Sequence, residues 1–391
     1  MNIKSLNRKL NKKFAGRVTA RLSDGCIVLT GELDDWNDVV DAGMTAATPH
    51  SSTHVVNDIV FTGAPEEKMH VPALSDKALE GDRPDVLIIG GGISGCSVAR
   101  ELARYKLNVL LIDKEADLAL GASGRNDGEV HPGVDLSKGS LKHKYIRRAN
   151  HMYEDLCREL DVPFKRTGQY ACFTHKSWLP FVSLYAKWRR DHDGIEDTCI
   201  VMGDEIRKKE PKISADVAFA LSNPSSGSVS PYNLVIAYAE NAVQNGARVS
   251  LNTAVTGMDV SDGEIKAVYT NRGTIYPREV INCAGVYSDV VAQMAQDRFF
   301  SIHPRRGTNS ILDKKTGASF HGIASIVMSQ SPVKTHTKGG GIVRTIDGNI
   351  LVGPTAAEVR QREDNSTDQP QIDASFEKHS KVAPHLSERD V

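Results

Sequence analysis

The sequence predicts an α/β fold preceded by a small α+β module, and three observations carry that expectation. A short apolar run, "DVLIIG", leads into a glycine-rich turn and then a helical pattern at "CSVARELARY". A second apolar run, "NVLLID", ends in an acid twenty-three residues after the first glycine of the turn. Ahead of both, residues 17–62 alternate and turn as an independent unit would. At 391 residues the chain exceeds one ordinary core, so two or three domains are expected.

The leading stretch "MNIKSLNRKLNKKF" is basic without the apolar centre of a signal peptide, and reads as a solvated helix or tail able to touch a membrane surface. Immediately after it, "RVTARL" alternates, "SDG" turns and "CIVLTGEL" makes a second strand. "DDWNDVVDAGMTAA" is a helix opened by an Asp cap, and "STHVVNDIVF" a third strand. This β-β-α-β unit within residues 1–64 resembles the BON domain in its pattern "DG-x-V-x-L-x-G", helix, "V-x-D-I". Residues 65–83 are polar, hold two prolines and show no periodicity, as a linker does.

Composition narrows the function. Lys plus Arg (48) and Asp plus Glu (49) nearly cancel, so no global field gathers nucleic acid, and an anionic substrate needs local charges. The six cysteines, Cys26, Cys96, Cys157, Cys172, Cys199 and Cys283, form no CxxC pair, which argues against a metal site or a disulfide scaffold and for a cytoplasmic protein.

In "VLIIGGGISG" the spacing assigns Gly90 to a tight turn, Gly92 to close approach of backbone to a pyrophosphate, and Gly95 to helix–strand packing, with the phosphate on the helix N-terminus. Asp113 ends the second strand, placed for a ribose hydroxyl, with Lys114 beside it. These features fit NAD and FAD equally. The next loop, "GASGRNDGEVHPGVD", offers Ser123, Arg125 and Asn126 as donors along a pyrophosphate leading under an extended ring system.

At this loop the chain resembles the D-amino-acid-oxidase-type superfamily of FAD enzymes, most closely its glycerol-3-phosphate dehydrogenase and L-2-hydroxyglutarate oxidase branch. "SSGSVSPYNLVIAYAENAVQNGARVSLNTAVTGM", "REVINCAGVYSDVVAQMA", "HPRRGTNSILD" and "KGGGIVRTIDGNILVGPTA" carry the likeness through about residues 85 to 391. It implies a discontinuous FAD domain of the glutathione-reductase type (84–165, 228–300 and 349–391). A mainly antiparallel substrate domain (166–227 and 301–348) is inserted into it. It also implies that Val255 meets the adenine and that Ala284 and Gly285 pass close to the cofactor.

The resemblance puts His131 near the flavin ring, where an imidazole is a suitable general base. Glu129 and Asp127 read as solvated or capping acids. Arg305 and Arg306 point to opposite faces of a strand, and Arg306 is the choice for holding a phosphate or carboxylate, with Lys338 and Arg344 as further candidates. No metal is expected. Asn309 stands where relatives often carry an aromatic residue, and the family's closing strand and glycine-rich turn would follow Val391. A fragment, or a partner subunit that completes the FAD site, would account for that.

The leading expectation is therefore oxidation of sn-glycerol 3-phosphate to dihydroxyacetone phosphate, with electrons passed to a quinone or protein acceptor. The location expected is the cytoplasm, including peripheral contact at the inner membrane face. A 2-hydroxyglutarate oxidase, an amino-acid or sarcosine-type oxidase, and a truncated non-catalytic binding subunit are the alternatives.

Overall fold

The computed structural model describes residues 2–47, 54–65, 68–195, 197–326 and 340–391. They form two compact units. Unit 1 takes Met1–Gly124, Tyr238–Arg306 and Ala357–Asn365, and unit 2 takes Arg125–Ala237, Gly307–Ala356 and Ser366–Val391.

Unit 1 begins with α1 (Ile3–Lys13), capped by the Asn2 side chain. Leu6, Leu10 and Phe14 recur at four-residue spacing and are buried, so the stripe facing inward is spent on the module's core. The leading helix is therefore more than a solvated tail: its basic residues line the outer face of a packed element. β1 (Val18–Ser23) and β2 (Cys26–Leu33) form a hairpin whose two loop residues, Asp24 and Gly25, both have positive φ (49° and 76°). This type I′ geometry matches strand twist, which is why "DG" reads as a hairpin. Asp35 caps α2 (Trp36–Ala46), which crosses to β3 (Val55–Phe61), parallel to β2.

The module lies against residues 298–303. Arg298 pairs with Asp58 at 2.5 Å, Asn57 contacts His303 at 3.0 Å, and Trp36 meets the His303 ring edge-on. The connector after β3 is pinned as well. Asp76 pairs with Arg272 through bonds of 3.0 and 2.7 Å, and Asp82 with Arg248 through bonds of 3.0 and 2.7 Å. The Arg272 hydrogen bonds hold the exposed Asp76 carboxyl down at about 2.

β4 (Val86–Ile89), α3 (Ile93–Leu102) and β5 (Val109–Ile112) make the strand–turn–helix–strand read from the sequence. Both strands are wholly buried, as parallel strands covered on two faces must be. The parallel sheet runs Arg248–Ser250, β5, β4, Glu279–Asn282. An antiparallel meander, Val255–Ser261, Glu264–Thr270 and Gly273–Ile275, packs its apolar side on that sheet through Val255, Val268 and Ile275.

Unit 2 holds a seven-stranded sheet of strands Ser310–Leu312, Ile350–Gly353, Gly341–Arg344, Ile323–Ile326, Gln169–Phe173, Phe219–Asn223 and Cys199–Met202. Only the Ile323–Ile326 and Gln169–Phe173 pairing is parallel among these neighbours. A smaller sheet orders β6 (Glu129–Val130), Gly227–Val229 and Phe164–Lys165. The stretch 349–391, expected as one piece of the FAD domain, is divided. Strand Ile350–Gly353 stays in the hairpin with Gly341–Arg344, and Phe376, Val382 and Leu386 bury against the same sheet. Only Ala357–Asn365 returns to unit 1. Among the described residues no helix is long and apolar enough to cross a membrane.

Candidate functional site

In unit 1 the chain leaves β4 at Gly90, where φ is +113°, a conformation that side chains rarely adopt. A Cβ there would lie 2.2 Å from the Cys283 carbonyl oxygen, and one on Gly95 would lie 1.9 Å from the Gly90 carbonyl oxygen. The two glycines thus let α3 and the strand Glu279–Asn282 close on the turn. Gly92 is the N-cap of α3 and supplies no side-chain cap of its own, so its side leaves room beside the amides of the first turn, the positive end of the helix. Beside it the Ile93 N–H donates to Ser123 Oγ at 2.9 Å.

Asp113 accepts from the backbone N–H groups of Gly91 (2.5 Å) and Glu115 (2.8 Å), bracing the glycine turn from below. Burial pushes its carboxyl above the usual range, and those two amides oppose the shift. Residues 250–254 run beside it: Asp113 N–H donates to the Ser250 carbonyl at 3.1 Å, and Thr253 N–H to the Asp113 carbonyl at 2.7 Å. Val255 comes next with its side chain in the core, so only its backbone faces this edge. On the other side, Ala284 and Gly285 continue from the strand Glu279–Asn282, and a Cβ on Gly285 would meet nothing within 4 Å.

Lys114 pairs with Glu115 and with Glu363 (2.7 Å), and the Tyr287 hydroxyl donates to Glu363 at 2.9 Å. Burial alone would lower the Lys114 ammonium, but these two acids outweigh it and hold it above its ordinary value. Gly90, Gly92, Gly95, Asp113, Lys114, Ser123, Val255, Ala284 and Gly285 are thus gathered along the carboxyl edge of one parallel sheet, where α/β folds bind ligands. Glu363 and Tyr287 are additions that sequence reasoning misses. Nothing local marks them, since Glu363 reaches this edge only on the return segment.

Arg306 also belongs to unit 1. Its Nη1 donates to Asp364 at 2.7 Å, while Arg305 pairs with Glu358 at 2.7 Å. Each guanidinium of "RR" has therefore found a carboxylate, on opposite sides of the strand as alternation requires.

The other candidates lie in unit 2 or outside the described residues. Arg125 opens unit 2, and the Asn126 carboxamide oxygen accepts from Gly128 N–H at 2.9 Å to form a local turn. Arg344 donates to the Phe320 carbonyl at 3.1 Å, tying its strand to the segment that leads into Ile323–Ile326. Lys338 lies outside the described residues. His131 comes just after β6 with its side chain half exposed (48 %), its Nδ1 3.4 Å from Glu129.

Glu129 corrects the expectation of a solvated or capping acid. Its side chain is only 7 % exposed and accepts from Gln169 at 2.8 Å and from Ser226 at 3.2 Å. The sequence did hold the signal: Glu129 and His131 are two residues apart at a strand, and that spacing puts both on one face.

Residues 85–391 match the family described as FAD dependent oxidoreductase. The chain belongs to this family. FAD is accordingly its cofactor, and the glycine turn fits it, because a Cβ at Gly90 or Gly95 would strike backbone and one at Gly92 would lie 2.9 Å from Ser123 Oγ. Among relatives of this FAD-dependent oxidoreductase, a glycerol 3-phosphate dehydrogenase of Caloramator mitchellensis is 36% identical over 276 residues. That match takes in 70% of this chain and 56% of the relative, so the chain spans little more than half of that protein's length. An L-2-hydroxyglutarate dehydrogenase of Indibacter alkaliphilus is 30% identical over 283 residues, covering 71% of this chain and 69% of the relative. The solved structure of dithionite-reduced L-α-glycerophosphate oxidase from Mycoplasma pneumoniae with FAD bound superposes with a TM-score of 0.71. It is 25% identical and covers 79% of this chain and 81% of that one.

Proposed function

We propose that this FAD-dependent oxidoreductase oxidises the secondary alcohol of sn-glycerol 3-phosphate to dihydroxyacetone phosphate. The observation that carries the reading is the 36% identity to a glycerol 3-phosphate dehydrogenase, supported by the likeness to a glycerophosphate oxidase structure. Bound FAD supplies the hydride acceptor. In this reading Gly90, Gly92 and Gly95 admit the pyrophosphate, with Ser123, Arg125 and Asn126 along it. Asp113 and Lys114 attend the ribose end, and Val255, Ala284 and Gly285 line the rest through backbone. His131 takes the hydroxyl proton. Arg306, its guanidinium oriented by Asp364, holds the substrate phosphate, with Arg344 and Lys338 as further cations for it. Electrons leave to a quinone or a protein acceptor, and contact of the basic α1 face with a membrane is part of the same proposal.

The test is the anaerobic visible spectrum of the purified protein before and after glycerol 3-phosphate. Bleaching of the oxidised flavin is expected. A spectrum that bleaches with L-2-hydroxyglutarate instead would transfer the proposal to that substrate, which the Indibacter relative favours.

Arg306→Ala should raise the glycerol 3-phosphate concentration needed for half-maximal bleaching by about tenfold to a hundredfold, the loss expected for a charge-assisted bond of about 1.5–3 kcal/mol. Flavin content should stay at the wild-type level. Unchanged half-saturation would move the anion site off Arg306.

A further inference from the structure

We propose that Glu129 is a positioning residue for His131, holding the imidazole with its hydrogen on Nδ1 and its lone pair on Nε2, where the substrate proton is received. The inference rests on the reading of His131 as the base, and deepens it.

Three groups converge on one oxygen. Gln169 Nε2 donates to Glu129 Oε1 at 2.8 Å, the Ser226 hydroxyl donates to it at 3.2 Å, and His131 Nδ1 lies 3.4 Å from it. The Gln169 amide is itself oriented, because Asn223 Nδ2 donates to its Oε1 at 3.2 Å and the Thr198 hydroxyl donates to Asn223 Oδ1 at 2.8 Å. Thr198 and Asn223 are fully buried, so this chain of donors is shielded from competing water. Every bond in it points toward Glu129.

The single Ser226 hydrogen is shared between this oxygen and the Val130 carbonyl 3.3 Å away, so it is the oriented Gln169 amide that fixes Oε1 as an acceptor toward a third neighbour. His131 Nδ1 must then carry its hydrogen, since two lone pairs in contact would repel. In the neutral ring the lone pair is left on Nε2. The conclusion holds whether or not Glu129 carries a proton, because that proton would sit on Oε2. Burial raises the Glu129 carboxyl, and Asp127 and Asp135 add to the shift, while the charge of a protonated His131 opposes it. The acid therefore gains most from its partner when the imidazole becomes a cation.

The step balances simply. The substrate O–H proton passes to His131 Nε2, the C–H hydrogen leaves with two electrons to the bound flavin, and the C=O bond closes. Before the step Glu129 fixes the tautomer, and after it Glu129 stabilises the imidazolium, the arrangement of a base oriented by a third group. A purely structural Glu129 would tie β6 to the strand Gln169–Phe173 and leave the ring free to choose its tautomer.

The full-length protein with 15N-labelled histidine distinguishes these roles at about pH 9, above the ordinary histidine range. The His131→Gln spectrum assigns the resonance. Wild type should show protonated Nδ1 and bare Nε2, a pattern that a structural role has no reason to impose, and Nε2–H in wild type overturns the proposal without any variant. Glu129→Leu, which removes the acceptor, should shift the population toward Nε2–H, and Glu129→Gln, whose carbonyl oxygen can keep the Oε1 place opposite the Gln169 amide, should keep much of the wild-type pattern. An unchanged tautomer in folded Glu129→Leu also overturns it.

In flavin bleaching by substrate, Glu129→Leu should lower the maximal rate by about a hundredfold, within the usual range for general-base catalysis, with flavin content and half-saturation little changed. A switched tautomer with an unchanged rate would exclude a part for Glu129 in the reaction. If the tautomer behaves as described but no substrate bleaches wild type, the reading of His131 as base fails and the pair itself stands.

Discussion

Gly92→Asp is expected to yield a folded protein that has lost its flavin. The two halves of that result have separate physical causes. Gly92 has extended backbone angles (φ −84°, ψ −173°), so an ordinary residue fits the conformation. Asp is among the preferred N-cap residues and would bond amides of the first turn of α3, where the Ser123 hydroxyl now accepts only from Ile93 N–H. The fold should therefore be retained, with helix stability equal or slightly greater. The same carboxylate would occupy the anion site and repel a pyrophosphate. Two unit charges about 4 Å apart at an effective dielectric of about 20 repel by about 4 kcal/mol, or roughly a thousandfold in affinity. Gly92→Ala is the control: its Cβ would lie 2.9 Å from Ser123 Oγ, a rotatable group, so a smaller loss is expected. The ratio of flavin to protein absorbance, together with FAD titration of the apoprotein, reads both variants. Wild-type flavin content in Gly92→Asp would remove the pyrophosphate from this helix end.

That helix end was legible because everything that defines it is local. The β-branched run of β4, the glycine spacing and the acid after β5 lie within about thirty residues, and each derives from backbone sterics or helix electrostatics. The hairpin of β1 and β2 was legible for the same reason, since "DG" answers the need for two positive φ values. Where partners come from far along the chain, the pattern said little. Lys114 could be placed at the end of β5, but Glu363 and Tyr287, which hold it, could not. Arg306 could be picked out on its strand, but Asp364, which pairs with it, could not. Glu129 read as solvated because acids usually are, and its burial depends on Gln169 arriving from another strand and Ser226 from the turn before Gly227–Val229. The end of the chain was assigned to the wrong neighbour by a related failure: "SFEKHSKVAPHL" shows its apolar spacing, but not which sheet receives Phe376 and Val382.

Arg189→Met should destabilise unit 2 by about 3–5 kcal/mol, the usual cost of removing one partner from a buried ion pair. Arg189 and Asp193 are one helical turn apart on the helix Leu179–Asp193, joined at 2.6 Å, with side chains only 2 % and 0 % exposed. Lys138 stands 3.5 Å from the same carboxylate, but its side chain is half exposed and compensates weakly. The guanidinium also donates to the Gly133 carbonyl at 2.6 Å, so its loss strands a buried acceptor as well as a charge. Asp193→Leu added to Arg189→Met removes the uncompensated charge, and the pair exchanged for apolar groups should regain most of the stability. Urea unfolding of the single and double variants measures the difference. A single variant within about 1 kcal/mol of wild type would mean that solvent reaches Asp193 and that the pair is a surface bridge in effect. Because Gly133 lies two residues beyond His131, the double variant separates stability from function. It should unfold like wild type yet bleach more slowly, since the loop carrying His131 has lost its anchor at Gly133 while the charge that made the single variant unstable is gone.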